Sequence, residues 1–336
     1  MIPRESLDPP NIYFAQQKKP IEFVPSGCTM LDLALGGGWA ERRISNVVGD
    51  RSTGKTLIAI EAVTNFVRKY ADGNAIYRET ESAFDSDYAA ALGLPLDRVD
   101  FGQGLHNPEE SAKLETVEDL FEDLDKTIKQ AAEPTFYVVD SLDALSDRAE
   151  LKRPVEKGTY GMAKPKLLSE MFRRLTARMS EKNVTLLIIS QVRSNITTMP
   201  FAKSWVRSGG KALDFYSSQV LYLAQTGLIK RQVGKIIRPT GISIDAKLDK
   251  NKVSLPFRSA QFEITFGYGI DDFKASVTWL DKNIGPSAFP HKLKPAAVLK
   301  AMREGDEELI DAMRQIVTDQ WFEVERSFLP TKGKYT

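Results

Sequence analysis

Residues 49–56 are the part of this sequence whose types and spacing point most directly to chemistry. They match the pattern G-x-x-x-x-G-K-[ST], in which glycines allow a tight turn whose backbone N–H groups converge on phosphate oxygens. The lysine can reach the terminal phosphates, and the last hydroxyl can bind Mg²⁺. We therefore expect a site for a nucleoside triphosphate and Mg²⁺, formed by Gly49, Asp50, Arg51, Ser52, Thr53, Gly54, Lys55 and Thr56.

The flanking sequence supports this interpretation over a chance match. An apolar run at residues 44–48 predicts a strand that ends where the loop begins, and residues 57–67 predict a helix directly after it. The positive end of that helix would point at the bound anion.

Carboxylates at two other predicted strand ends could complete a hydrolytic site. Asp140 follows the apolar run 136–139, where it could hold Mg²⁺ directly or through water. Glu79 and Glu81 follow a predicted strand at residues 74–78, and either could orient or activate the attacking water. The spacing alone does not choose between them.

Gln191 follows another apolar run, at residues 186–190. Its amide could touch the γ-phosphate and respond to its presence. The alternative is an ordinary solvated loop residue, which the spacing alone leaves open.

The elements that must position these residues follow from the pattern between residues 23 and 268. Short β-branched or aromatic runs alternate with longer amphipathic stretches, which predicts an α/β fold with a mainly parallel central sheet and helices on both faces. The last three predicted strands lack long helices between them, which favours an antiparallel extension at one sheet edge. The predicted strands are residues 44–48, 74–78, 135–139, 185–189, 219–224, 242–248 and 261–266.

Three regions are expected along the chain. Residues 1–22 are rich in proline and predict an irregular arm, residues 23–270 form the core, and residues 271–336 form a small C-terminal domain or appendage. A helix is predicted at residues 306–322 because apolar residues form one stripe on it. The stripe consists of Leu309, Ile310, Met313, Ile316 and Val317.

The composition of the chain limits the classes of protein to which it could belong. The chain has 336 residues and a formal net charge of +1, so any electrostatic argument depends on local charge. Cys28 is the single cysteine, which excludes a disulfide within the chain and fits a reducing cytoplasm. We find neither an export signal nor a membrane anchor, and we expect a cytoplasmic location with no membrane partner.

Several segments, in order over residues 23–272, together resemble the bacterial RecA recombinase family. The phosphate loop is shared by many ATPase families, whereas the blocks GGKALDFY and KNK with PF are far more specific. The matching segments are residues 26–36, Glu81 with Asp85, Tyr88 and 92–93, 138–145 (VVDSLDAL), 191–193 (QVR), 209–216 (GGKALDFY), 250–252 (KNK) and 256–257 (PF).

The resemblance implies an ATPase site shared between two chains. Glu81 matches the glutamate that activates water, and Gln191 matches the glutamine that links ATP binding to DNA binding. Lys250 and Lys252 match lysines that reach the neighbouring protomer's triphosphate, which implies self-association into a filament or oligomer with ATP at its interfaces. Asp85 and Tyr88 match residues that border the adenine base. Phe266 stands where the family usually has a tyrosine that stacks near the nucleotide, so an aromatic surface is kept and a hydroxyl is lost.

The resemblance also implies two loops that hold single-stranded DNA, near residues 150–164 and 194–209. Local charge supports this, since residues 148–178 contain nine Lys or Arg against three Glu, and residues 193–211 contain four basic residues and no acid. An ordinary solvated surface is the alternative. The residues expected to contact DNA are Lys152, Arg153, Tyr160, Met162, Lys166, Arg173, Arg193, Met199, Phe201, Arg207, Gly209 and Gly210.

The leading hypothesis is a DNA-dependent ATPase that assembles on single-stranded DNA and then pairs it with duplex DNA for strand exchange. Its partners could include loader or single-strand-binding proteins. The proline-rich arm and the lack of an acidic tail depart from the family pattern and suit a phage-encoded or specialised member. They also keep open an accessory ATPase that loads or anneals without extended filaments. A hexameric helicase is a third alternative, against which the KNK block argues.

Overall fold

The computed structural model describes residues 20–102, 114–152, 163–194, 205–207, 210–332 and 334. The strands are β1 (Phe23–Val24), β2 (Trp39–Ala40), β3 (Ile44–Gly49), β4 (Asn74–Glu79), β5 (Val99–Asp100), β6 (Thr135–Asp140), β7 (Val184–Ser194), β8 (Trp205–Arg207), β9 (Gln219–Val233), β10 (Ile236–Asn251), β11 (Ser259–Thr265) and β12 (Gly269–Ile270). The α-helices are α1 (Thr29–Leu35), α2 (Lys55–Lys69), α3 (Ser86–Ala91), α4 (Val117–Gln130), α5 (Arg148–Lys152), α6 (Ala163–Glu181), α7 (Gly210–Tyr216), α8 (Asp272–Asn283), α9 (Pro295–Arg303) and α10 (Glu307–Ser327).

One large sheet organises the described part of the chain, with strand order β12-β11-β10-β9-β3-β7-β6-β4-β5 and β8 paired to β7. The strands from β9 to β5 in that order run parallel. β10, β11 and β12 continue the sheet in antiparallel pairs beyond β9. The predicted α/β fold with a mainly parallel sheet and an antiparallel edge extension is therefore confirmed.

Two hydrophobic clusters form the core, one on each face of the sheet. Alternating side chains of β3 divide between them, since Val47 belongs to the cluster packed by α2 and Ile44 to the cluster packed by α4 and α6. Parallel strands buried on both faces read as continuous apolar runs, which is why these strands were readable from the sequence.

Three strands extend well beyond their predicted ends, β7, β9 and β10. β7 continues to Ser194 because β8 pairs with Val192–Ser194, so Gln191 lies inside a strand rather than after one. Within the DNA-binding loop predicted near residues 194–209, residues 205–207 form β8. β9 and β10 continue as a hairpin beyond the other strands of the sheet. Side chains on both faces of this hairpin are exposed, so its sequence lacks the alternation of apolar and polar residues that indicates a strand.

The helices after β12 pack onto the same cluster as α2. In α10, which covers and extends the predicted helix, Leu309, Met313 and Val317 are buried beside Trp321. The division at residue 270 stays a prediction. No helix in the described ranges is both long enough and apolar enough to cross a bilayer.

Candidate active site

Sheet register brings the predicted site residues to one edge. Gly49 at the end of β3 pairs with Gln191 of β7, and Glu79 at the end of β4 pairs with Asp140 of β6. Because these strands are parallel, their carboxyl ends meet at the same edge of the sheet. Open α/β sheets bind ligands in the crevice outside these strand ends.

The phosphate loop is built to leave its backbone accessible. Gly54 precedes α2 with φ +82°, and a Cβ there would lie 2.4 Å from Cδ1 of Ile264. Lys55 donates from Nζ to the carbonyl of Asp50 at 2.7 Å, which folds the lysine over the loop. A side chain at Gly54 would displace the end of the Ile264 side chain, and the positive φ is the main reason that glycine is favoured here.

Asp140 and Thr56 together offer oxygen ligands suited to Mg²⁺. Thr56 donates from Oγ1 to Oδ2 of Asp140 at 2.8 Å, and the buried Tyr77 hydroxyl donates to the same oxygen at 2.7 Å. Burial raises the pKa of Asp140, and these two hydrogen bonds act in the opposite direction. A hydroxyl and a carboxylate are the hard donors that Mg²⁺ prefers, so these residues fit the expected ion.

Lys55 is a buried lysine, with 9 % of its surface exposed. Burial lowers the pKa of this lysine, while the nearby carboxylates of Asp140, Glu81 and Asp143 raise it. Its ammonium group is therefore surrounded by negative charge at the loop. An anionic ligand in the loop would supply the same kind of partner.

The two glutamates after β4 have different surroundings. The carboxylate of Glu79 accepts backbone hydrogen bonds from Glu81, Ser82 and Ala83 at 2.8, 2.8 and 3.1 Å, so it stabilises the turn. Glu81 is exposed, and its Oε1 accepts hydrogen bonds from other strand ends. This geometry leaves Glu81, and not Glu79, facing the site.

Gln191 is connected to Glu81 directly. Its Nε2 donates to Oε1 of Glu81 at 2.9 Å, and its backbone N–H donates to Oδ2 of Asp143 at 2.7 Å. Ser141 Oγ donates to the same oxygen of Glu81 at 2.5 Å. The carboxylate is therefore held by groups from β7 and from the end of β6.

The residues expected at the base lie on two separate elements. Asp85 caps α3 by accepting from the backbone N–H of Tyr88 at 2.9 Å. Phe266 has 54 % of its surface exposed, in the turn between β11 and β12. Both elements flank α2 but have no direct bond to the phosphate loop in the described contacts.

Lys250 and Lys252 point away from the chain's own phosphate loop. Lys250 donates from Nζ to the carbonyls of Asp214 and Phe215, and Lys252 donates from Nζ to that of Phe215 at 3.2 Å. These carbonyls lie at the end of α7. The structure therefore does not bring these lysines together with Lys55 within one chain.

The family model described as the RecA N-terminal domain matches residues 12–271. The chain belongs to the RecA family. Proteins named RecA from Paenarthrobacter aurescens and Rhodococcus jostii are each 34% identical over 75% of this chain and 68% of their own lengths. RecA from Nostoc punctiforme is 33% identical over 74% of this chain and 64% of its own.

The RecA family match covers all strands of the sheet and every nucleotide-site residue named above. It ends at residue 271, immediately before α8. The C-terminal helices lie outside it, although they share a hydrophobic cluster with the core.

The residues expected to bind DNA are only partly described. Lys152 is exposed at the end of α5, and Lys166 and Arg173 are exposed on α6. The backbones of Arg193, Arg207 and Gly210 belong to β7, β8 and α7. The remaining predicted residues lie outside the described part of the chain: Arg153, Tyr160, Met162, Met199, Phe201 and Gly209.

Four residues near the site were given no role by sequence reasoning. Tyr77 and Ser141 hold Asp140 and Glu81, and Asp143 holds the backbone of Gln191. Thr80 accepts from the backbone N–H of Ser141 at 3.0 Å and joins the ends of β4 and β6. Ser141 and Asp143 lie in the segment 138–145 that matches the family, and Tyr77 and Thr80 lie within two residues of Glu79, and these positions were the available signals.

Proposed function

We propose that this protein is an ATP-dependent recombinase that binds single-stranded DNA, assembles on it, and promotes homologous pairing and strand exchange. The hydrogen bond between Glu81 and Gln191 carries the proposal, since it joins the candidate hydrolytic carboxylate to β7. β7 leads directly into the basic segment 194–209. One contact therefore links the candidate ATP site to the candidate DNA loop.

The chain's own residues divide the hydrolytic work. Lys55 and the loop N–H groups bind the phosphates, and Thr56 with Asp140 hold Mg²⁺. Mg²⁺, when bound, neutralises charge on the phosphate oxygens. Glu81 orients the attacking water and accepts its proton, for which its exposed carboxylate has a second oxygen besides the Oε1 that accepts from Gln191 and Ser141. ATP is then converted to ADP and phosphate.

Gln191 acts as the switch in this proposal. Its amide is hydrogen-bonded to Glu81 in the structure, and a γ-phosphate would offer it a new acceptor. Exchange of one partner for the other would shift β7 and the segment that follows it. A ligand can move such an equilibrium only through a difference of this kind between the two states.

Assembly completes the site. We expect Lys250 and Lys252 to leave the end of α7 and contact the triphosphate bound by the adjacent protomer. α7 packs against α6 through Phe172 and Tyr216, whose ring centres are 6.1 Å apart. These two helices follow the two candidate DNA loops, so DNA binding and assembly would act on connected elements.

Base pairing between strands, and not the protein, would read homology, first on single-stranded and then on duplex DNA. The basic segments supply a salt-dependent hold on the phosphate backbone. Loader or single-strand-binding proteins are expected partners in this process.

The test combines three measurements on the full chain. ATP hydrolysis is measured with and without single-stranded DNA, particles are imaged with a slowly hydrolysed ATP analogue, and strand exchange is followed with homologous duplex. DNA-stimulated hydrolysis, helical filaments and exchanged product are expected. Stimulated hydrolysis without filaments or exchange would instead support the accessory ATPase, and closed rings would support a helicase. A DNA-independent rate together with no strand binding would overturn the proposal.

A further inference from the structure

Two residues on one face of α2 contact the hairpin formed by β11 and β12. Gly54, at the start of the helix, packs against Ile264 of β11. Glu61, seven residues later, accepts from the backbone N–H of Ile270 in β12 at 2.9 Å through Oε1. Residues seven apart lie on the same side of a helix, so α2 holds this hairpin at two points.

The carboxyl group of Glu61 occupies a space that only glycines leave open. A Cβ at Gly27 would lie 2.2 Å from Oε2, and one at Gly269 would lie 2.5 Å from Oε1. Both glycines have positive φ, +90° and +105°. The side chain is therefore enclosed between two turns, which fixes its position.

The anchored hairpin carries Phe266 in its turn. Thr265 and Gly269 are cross-strand partners on either side of that turn. The end of α3 is also near, since a Cβ at Gly269 would lie 3.4 Å from Cδ2 of Leu92, and burial and the charge of Glu61 raise the pKa of Tyr88 in α3. The carboxyl group thus lies close to both elements that are expected to border the base.

We propose that Glu61 is a positioning residue for the base of the bound nucleotide. By tying Ile270 to α2, it holds the turn that carries Phe266 beside the phosphate loop. The inference rests on the proposed binding of ATP. Losing this tie would weaken contacts with the base and leave the phosphate contacts of Lys55 and Thr56 in place.

Glu61 also changes its charge within a pH range in which the protein can be studied. Burial raises its pKa to about 7, the hydrogen bond from Ile270 and the charge of Arg68 lower it, and the charge of Asp272 raises it. A protonated carboxyl resembles a glutamine amide, whereas the ionised form makes the stronger, charge-assisted bond to Ile270. The titratable and charged groups that share its cavity of about 560 Å³ or its vicinity are Cys28, Asp32 of α1, Arg68 of α2, Tyr88 of α3, Tyr268, Asp272 of α8 and Arg314 of α10.

The first experiment compares binding of ATP with binding of inorganic tripolyphosphate, which has no base, both with Mg²⁺. Glu61→Ala should weaken ATP binding by about tenfold, the usual effect of losing one such hydrogen bond, and leave tripolyphosphate within about twofold of the unchanged protein. Equal loss of both ligands, or no loss of either, would overturn the inference. If the unchanged protein binds neither ligand, it is the proposed ATP site that fails.

The second experiment uses Glu61→Gln, which keeps an acceptor for Ile270 and removes the charge. The ratio of its ATP dissociation constant to that of the unchanged protein should be near one at about pH 6 and rise about threefold by about pH 8. Taking the ratio cancels the titration of ATP itself. This variant decides the question even if Glu61→Ala fails to fold, since a ratio that stays flat overturns the inference.

Asp32→Asn is the matched control for the second experiment. Asp32 borders the same cavity, and burial raises its pKa to about 7, but its carboxylate accepts from the backbone N–H of Ser26 at 2.8 Å and does not touch the hairpin. The ratio of the ATP dissociation constant of Asp32→Asn to that of the unchanged protein should not change with pH. A rise equal to that of Glu61→Gln would mean that the cavity's charge, and not the tie to Ile270, affects the base, which overturns the inference.

Discussion

Glu81 accepts a hydrogen bond from Nε2 of Gln191 at 2.9 Å, although 110 residues separate the two in sequence. The contact exists because β4 and β7 end at the same edge of the sheet, on either side of β6. It makes the candidate hydrolytic carboxylate and the strand leading to the basic segment 194–209 neighbours.

Replacing Glu81 by Gln should lower the turnover of ATP by about 100-fold or more, because the amide cannot accept a proton from water. ATP binding should change little, since Lys55 and Thr56 are untouched. Single-turnover hydrolysis and equilibrium binding of a fluorescent ATP analogue measure the two effects separately.

Glu79→Gln serves as the control for that substitution. Glu79 caps the turn through three backbone N–H groups, and glutamine retains one acceptor oxygen, so a smaller loss accompanied by lower thermal stability is expected. A greater loss of turnover in Glu79→Gln than in Glu81→Gln would reverse the two roles.

Removing two exposed cations from α6 should weaken binding of single-stranded DNA. A plot of log affinity against log salt concentration has a negative slope. The double variant Lys166→Ala, Arg173→Ala should make this slope less negative by about 1.4, if each side chain neutralises one phosphate. Titrations of a fluorescent oligonucleotide at several salt concentrations provide the slope.

Arg174 of the same helix offers a close comparison. Its guanidinium pairs with Glu170 at 3.3 Å and lies over the Phe121 ring, so it is engaged within the protein. Arg174→Ala should leave the salt slope unchanged. An equal change in slope for both sets of variants would show that α6 contributes only general charge.

Asp32 should make the protein less stable as pH rises. Burial raises its pKa from 3.8 to about 7, so the folded state binds the proton more tightly than the unfolded state. The contribution to stability is therefore present below about pH 4 and is lost as pH rises towards 7. Asp32→Asn should remove this loss and exceed the unchanged protein by about 4 kcal/mol in free energy of unfolding at about pH 8, with little difference at about pH 4.

Urea unfolding of the two proteins at both pH values tests that difference. Asparagine keeps an oxygen that can accept from Ser26, so the hydrogen bond is preserved in the comparison. A constant difference between the proteins at both pH values would show that Asp32 is ionised in the folded state throughout.

The sheet was readable from the sequence because β3, β6 and β7 are buried on both faces and consist of apolar runs. The hairpin formed by β9 and β10 was predicted too short, since its outer residues, such as Val233 and Ile236, are exposed and obey no burial pattern. β8 was missed because three residues form a strand only by pairing with β7.

In the candidate site too, some residues could be predicted from the sequence and others could not. Lys55 and Thr56 were readable because backbone geometry restricts the residues of a phosphate loop. Glu79 and Glu81 were indistinguishable by spacing, and only the fold shows that one of them is used by backbone N–H groups. The tie between Glu61 and Ile270 spans 209 residues, so no local pattern could have indicated it.

If Lys250 and Lys252 complete the neighbouring protomer's site, two inactive variants should restore each other. Lys55→Ala lacks a phosphate-binding lysine, and Lys250→Ala with Lys252→Ala lacks the lysines supplied across the interface. In an equal mixture assembled on DNA, roughly a quarter of the head-to-tail interfaces would join an intact loop to intact lysines, so about a quarter of the unmodified ATPase rate is expected. A sample that contains Lys55→Ala alone gives the baseline ATPase rate. Hydrolysis that remains at that baseline after mixing would mean that these lysines, which bond to the end of α7 in the single chain, serve only to hold α7 in place.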